Sequence, residues 1–162
     1  MTCLAISGHR GLPQRTTELV KEALCTELKR YKGDLVGLSC IADGADTLFA
    51  RAVLDQGGAL VVIVPAANYR DKLPEDHHPE YDALFERASE VVQLDFPDST
   101  SESHMVASVK MIEMADRLVA VWDGEPARGY GGTADVVSAA RDRNIPVTIV
   151  WPEGSERDRH SS

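Results

Sequence analysis

The chain is short of several features that would place it in familiar classes. Aromatic residues make up only 6% of its 162 residues against 43% hydrophobic content, which suits an α/β protein built on Val, Leu, Ile and Ala. Cysteine is scarce. Cys3, Cys25 and Cys40 are an odd number, scattered without metal-ligand spacing, and read as reduced, buried small hydrophobes. No apolar run approaches ~18 residues and the N-terminus goes directly into a strand, so no membrane span and no signal peptide are expected, and the cytoplasm is the expected location. Positive charge is in deficit, with 17 Lys and Arg against 26 Asp and Glu and a net charge of −9. Non-specific affinity for nucleic acid comes mainly from neutralising phosphates with Lys and Arg. No nucleic-acid partner is therefore expected, although a local basic pocket can still hold a small phosphorylated ligand. The third glycine of a GxGxxG dinucleotide fingerprint is missing after the first strand, and neither a Ser-His-Asp nor a Cys-His arrangement is evident.

Six short apolar runs are present: Leu4–Ser7, Leu35–Ser39, Leu60–Val64, Val91–Leu94, Leu118–Trp122 and Val147–Trp151. Each is nearly continuous rather than alternating, the pattern of strands buried on both faces of a parallel sheet. Helix-period stripes separate most of them: Leu19, Val20, Ala23, Leu24 and Leu28; Leu48, Phe49, Ala52 and Val53; Met105, Val106, Val109 and Ile112; Val136, Val137 and Ala140. Ser99-Thr100-Ser101-Glu102 reads as a capping box for the third stripe, and Ile145-Pro146 ends the last. Strands alternating with helices give right-handed βαβ units. The expected fold is α/β: a Rossmann-like, doubly wound, mostly parallel sheet of about six strands with helices on both faces. One domain over 1–151 is followed by a polar, flexible tail over 152–162. Pro65–Pro79, with Pro74 between, reads as a flap or irregular excursion. Apolar helix faces fit a possible homodimer.

In such sheets ligands bind beyond the carboxyl ends of the strands, near the switch point, and the unusual clusters fall in those loops. Gly129–Asp135 (GYGGTAD) follows the fifth strand and opens a helix. Glycines let a phosphate approach the backbone, and the unpaired N–H groups of the first turn point at it, with Gly131, Gly132 and the Thr133 hydroxyl as donors. Ser7-Gly8-His9-Arg10-Gly11 follows the first strand. Gly8 permits a tight path, Arg10 offers a planar fork to a phosphate or carboxylate, and His9 either bonds a ligand or fixes the loop. Ser39–Asp46 follows the second strand, where Gly44 and Ala45 allow close approach of a nucleotide. Asp46 either packs near the sugar or base or serves only the helix dipole. Asp123, with Glu125 and Arg128 beyond it, is placed to accept ribose hydroxyls or act as a base, and Asp135 either faces the pocket or pairs with the dipole. Asp76-His77-His78-Pro79-Glu80 holds potential metal ligands but no third histidine completes a site. It reads as a solvated or flap-forming stretch, and neither a metal nor a required cofactor is expected.

Taken together, Ser7-Gly8-His9-Arg10, Ile41–Ala50 (IADGADTLFA) with Gly57-Gly58 after it, Ala115-Asp116 before a strand, and Gly131-Gly132-Thr133 resemble the SLOG superfamily. That superfamily unites the Smf (DNA-processing protein A) Rossmann domains, the "lonely guy" (LOG) cytokinin-activating enzymes and further nucleotide-binding groups. Gly44-Ala45-Asp46 is similar to the helix-opening stretch of the Smf branch, and Gly131-Gly132-Thr133 to the LOG phosphate loop; the resemblance covers about residues 3–151. It implies a Rossmann-like fold that binds a nucleotide or nucleotide-derived ligand, as a sensing or binding module. The alternative is a LOG-like phosphoribohydrolase that cleaves the N-glycosidic bond of a nucleoside monophosphate. LOG enzymes carry PGGxGTxxE and an arginine on the preceding helix. Here Val136 stands three residues after Thr133, Asp135 is the nearest acid, no proline precedes the glycines, and Lys110 lies roughly where the arginine would be. Asp135, Asp123 and Lys110 are thus the catalytic candidates of the hydrolase alternative.

Overall fold

The computed structural model of the chain describes residues 1–157. Six strands form one sheet: β1 (Thr2–Gly8), β2 (Leu35–Ser39), β3 (Ala59–Val64), β4 (Glu90–Gln93), β5 (Arg117–Val121) and β6 (Val147–Ile149). Their order is β4-β3-β2-β1-β5-β6, and all five pairings are parallel. The chain winds outward from β1 to β4, returns to the other side of β1 as β5, and winds outward again. β1 and β5 therefore flank the switch point, where the loops at their carboxyl ends diverge and leave a crevice.

Helices cover both faces. On one lie α1 (Gln14–Leu28) and α2 (Ala45–Asp55); on the other α5 (Ser101–Met114) and α6 (Thr133–Asp142), with α3 (Tyr69–Lys72) and α4 (His78–Glu86) nearby. Strand alternation sorts the core between them. Leu4 and Ile6 of β1, with Val119 and Val121 of β5, meet Val20, Leu24 and Leu28 of α1 and Phe49 of α2. Ala5, Leu118 and Ala120 point the other way, into Met111, Ile112, Val136 and Val137. Each such leucine or isoleucine contributes about 1.5–3 kcal/mol by leaving water.

Four expectations change in detail. The α5 capping box is one residue later than Ser99–Glu102: Thr100 accepts from the Ser103 amide at 3.1 Å while Ser103 Oγ accepts from the Thr100 amide at 2.9 Å. The buried face of α5 is also rotated. Ser103, Ala107, Met111 and Ile112 are buried, while Val106 is 42% exposed, because small residues bring the helix down on the sheet. Of the three free cysteines only Cys40 is buried; Cys3 and Cys25 are half-buried. Residues 152–157 of the expected tail are held in place. Thr16 Oγ1 donates to the Glu156 carbonyl and accepts from its amide, both at 2.8 Å; residues 158–162 of that expectation lie outside the described residues.

The segment Pro65–Pro79 is ordered local structure and not an irregular excursion. It holds α3, a 3₁₀ turn over Glu75–His77 and the start of α4. Pro74 caps the turn and Pro79 sits in the first helical positions of α4, where a missing N–H costs nothing. His77 is buried, and its Nε2 donates to the Ile41 carbonyl at 2.9 Å. Glu80 pairs with Arg51. Asp76–Glu80 therefore docks α4 onto α2, and among the described residues no group of three or more His, Cys, Asp or Glu is arranged to hold a metal ion.

Candidate functional site

At the switch point lies a cavity of about 190 Å³, open to solvent. Its walls come from the end of β1 and the loop after it (Ile6, Ser7, Gly8, Arg10), the β2–α2 connection and the first turn of α2 (Cys40, Ala42, Asp46), the β3–α3 loop and α3 (Pro65, Tyr69), α5 (Ser101, His104, Ser108, Met111) and the glycine loop Gly129–Thr133. Six sequence candidates line it: Gly8, Arg10, Asp46, Gly131, Gly132 and Thr133.

The glycine loop forms one end. Gly131 has φ +87 and sits where a Cβ would meet the Ser101 carbonyl at 3.0 Å, so the α6 entrance rests against the α5 start. Gly132 is the N-cap of α6 and no side chain caps that end. The amides of Asp135 and Val136 bond back to the Gly132 carbonyl. Among the described residues those of Thr133 and Ala134 are left for an anion. Arg10 adds positive charge from the β1 loop. Its Nε and Nη2 both donate to Asp43 Oδ1, at 3.0 and 2.8 Å, which fixes the guanidinium plane and leaves the Nη1 edge unused by Asp43.

Cys40, Tyr69, His104 and Asp46 also line the cavity. Burial pushes the Cys40 thiol and the Tyr69 phenol up, and Tyr69 packs edge-on to His104 with ring centroids 5.6 Å apart. Burial, then Arg10, lowers the His104 pKa; its Nε2 lies 2.6 Å from Ser99 Oγ. Asp46 lies on the floor. Burial raises its pKa to about 7 against the opposing pull of the Ala42 amide and Arg10.

The remaining candidates stand elsewhere. Gly44 and Ala45 join loops instead of lining the cavity: Gly44 has φ +90, and a Cβ there would meet the His9 carbonyl at 2.6 Å, while the Ala45 amide donates to that carbonyl at 3.2 Å. His9 turns away into the core, 2% exposed. Its Nε2 accepts the Asp123 amide at 3.0 Å, and burial, then Arg157, lowers its pKa to about 4, so the ring is neutral. Asp123 is on the same side. Burial alone would raise its pKa, but the Glu125 amide, His9 and Arg157 together hold it below the ordinary value. Asp135 accepts from the Gly131 amide at 2.9 Å, bracing the glycine loop. With Lys110 it borders a separate groove between α5 and α6.

Sequence reasoning passed over Tyr69, His104, Ser108 and Met111. A signal for three of them existed: Ser101, His104, Ser108 and Met111 follow at i, i+3, i+7 and i+10, one face of α5. The neighbouring apolar stripe Met105, Val106, Val109 and Ile112 masks it.

No protein-family model matches the chain, and no curated protein matches it in sequence. Solved structures do match in fold. DNA processing protein A from Streptococcus pneumoniae superposes over 95% of this chain with a TM-score of 0.70 at 15% identity. This chain covers only 52% of that protein, about half its length. DNA processing protein A from Helicobacter pylori, described for its single-stranded DNA binding mode, gives a TM-score of 0.68 at 16% identity over 96% of this chain and 68% of its own. The molybdenum cofactor binding protein of Rippkaea orientalis gives 0.61 at 12% identity over 94% and 77%. The Helicobacter protein overturns one expectation. A chain of this fold binds single-stranded DNA, so a net charge of −9 is no ground for excluding nucleic acid: net charge sums the whole surface, and phosphate recognition is local. The likeness is one of fold, and the Rossmann-like architecture implied by Ser7–Arg10, Ile41–Ala50 and Gly131–Thr133 is the one this chain has.

Proposed function

We propose that the cavity binds a nucleotide or nucleotide-derived ligand, with a phosphate on the amides that open α6 and on Arg10, and holds it without cleaving it. The observation that carries this reading is the α6 N-terminus. It has no side-chain cap, and its Gly131, Gly132 and Thr133 border the same cavity as Arg10. Helix-end amides and an oriented guanidinium are complementary to a phosphate dianion. Binding is favoured over hydrolysis because Asp135 and Asp123 are spent on the Gly131 and Glu125 amides, and neither borders the cavity, nor does Lys110. The names of the similar folds fit a phosphorylated ligand, one a molybdenum cofactor binder and one a single-stranded DNA binder. The phosphate of a strand is as acceptable to this anchor as that of a free nucleotide. Three free cysteines fit a reducing compartment such as the cytoplasm, and no helix among the described residues is long and apolar enough to cross a membrane.

Titration calorimetry with nucleoside mono- and diphosphates, dinucleotides and a short single-stranded oligonucleotide tests the proposal. At least one should bind, and Arg10→Gln should weaken it roughly tenfold or more, the worth of one charge-assisted hydrogen bond. Chromatography of the same mixtures should recover the ligand intact. Binding by none, or binding indifferent to Arg10→Gln, overturns the reading. Release of a free base would put the hydrolase in its place.

A further inference from the structure

The wall opposite α6 carries a device that the phosphate site does not explain. Ile41 is fully buried and has φ +46, a left-handed conformation that costs a β-branched residue about 1–3 kcal/mol. Three side chains hold the chain there. The Ile41 amide donates to Ser39 Oγ at 3.0 Å, its carbonyl accepts from His77 Nε2 at 2.9 Å, and Thr47 Oγ1 donates to the Ala42 carbonyl at 2.7 Å. The Ala42 amide that follows this reversal faces the Asp46 carboxyl, and Asp46 borders the cavity. A carboxylate offers about four lone-pair positions, and Ala42 takes one. The same cavity is lined by Tyr69, Pro65 and Met111, together with the polar Ser7, Arg10, His104 and Ser108. Asp46 follows β2 and α6 follows β5, with β1 between, so the two ends are roughly 10 Å apart at two strand spacings. That suits the span from a nucleotide's phosphate to its base.

We infer that Asp46, walled by Tyr69, Pro65 and Met111, forms a subsite for a planar heterocycle presenting two adjacent N–H donors, the edge of a guanine-type ring. This rests on the nucleotide-binding reading and names the base class for the same cavity. The two carboxylate oxygens pair with ring N–H and exocyclic amino N–H side by side. Tyr69, Pro65 and Met111 offer flat or apolar surface to the ring faces. Adenine-type and uracil-type edges each offer an acceptor where the second donor is needed, and the carboxylate repels it.

The test compares GMP with IMP, which differ only in the 2-amino group, on the full chain by titration calorimetry at pH 8, with AMP as the third probe. GMP should bind roughly tenfold or more tighter than IMP, the discrimination of a good bidentate contact. Asp46→Asn, which cannot accept both donors, should bring the ratio to near one. Equal affinity for GMP and IMP in the wild-type chain overturns the subsite while leaving nucleotide binding intact, and does so without any variant. A preference that survives Asp46→Asn overturns it too. Failure of all three nucleotides to bind overturns the subsite, and the nucleotide-binding reading falls with it only if the wider panel of phosphorylated ligands also fails to bind.

Discussion

Two aspartates at strand ends invite comparison. Asp46 follows β2 and Asp123 follows β5, and their surroundings drive them in opposite directions. Asp123 receives the Glu125 amide at 3.0 Å, faces His9 at 3.3 Å and Arg157 at 3.9 Å, and is held below its ordinary pKa. Asp46 is half-buried, and burial raises its pKa to about 7 against the pull of the Ala42 amide and Arg10. An acid that serves the fold is surrounded by the fold's own donors. One left short of donors inside a cavity is available to a ligand, and its misfit shows as a raised pKa. The neighbouring pair His9 and Arg10 repeats the lesson: one turns inward to the Asp123 side, the other lies at the cavity.

The comparison can be broken in four ways. The largest effect belongs to the hinge between the two sides. Gly44→Ala should destabilise the chain by about 2–3 kcal/mol, because φ is +90 and the new Cβ would meet the His9 carbonyl at 2.6 Å; chemical denaturation measures it. Asp123→Ala should cost about 1–3 kcal/mol by taking the carboxylate from the Glu125 amide and Arg157, yet leave nucleotide affinity unchanged. A loss of affinity without loss of stability would place Asp123 with the ligand. Asp46→Asn should act the other way. Its folded pKa is raised above the unfolded value, so the wild-type chain is most stable below the ordinary carboxylate pKa. That increment is lost as pH rises from about 4 to about 7. The Asn variant should lack this loss and gain on the wild type across the window, as thermal unfolding at stepped pH would show. A constant difference between the two would show Asp46 to be as well partnered as Asp123. The smallest effect is expected at Lys110→Ala, which should leave nucleotide affinity within twofold, since Lys110 borders the other groove.

Much of the fold was legible because parallel strands bury both faces and leave unbroken apolar runs. The β2 run Leu35–Ser39 coincides with the strand. α5 was harder, since Ser103 and Ala107 anchor it and small residues do not stand out as apolar. Pro74 and Pro79 read as breakers, whereas at a helix start proline is favoured. The glycine-loop end of the cavity was legible because glycines, a strand end and a helix start are local features. The enclosure of Asp46 was not: Tyr69, Met111 and Ala42 come from three separate segments, and only tertiary packing brings them together. For the same reason His77, fixed by a carbonyl 36 residues away in sequence, passed for a solvated side chain.

The cavity draws its lining from residues between Ile6 and Thr133, so no fragment shorter than that span contains it. Occupancy is then coupled to the folding of the entire sheet. A ligand at a hundred times its Kd adds about 2.7 kcal/mol to the unfolding free energy. That increment should appear as slowed amide exchange even in β4, an edge strand that borders no part of the cavity.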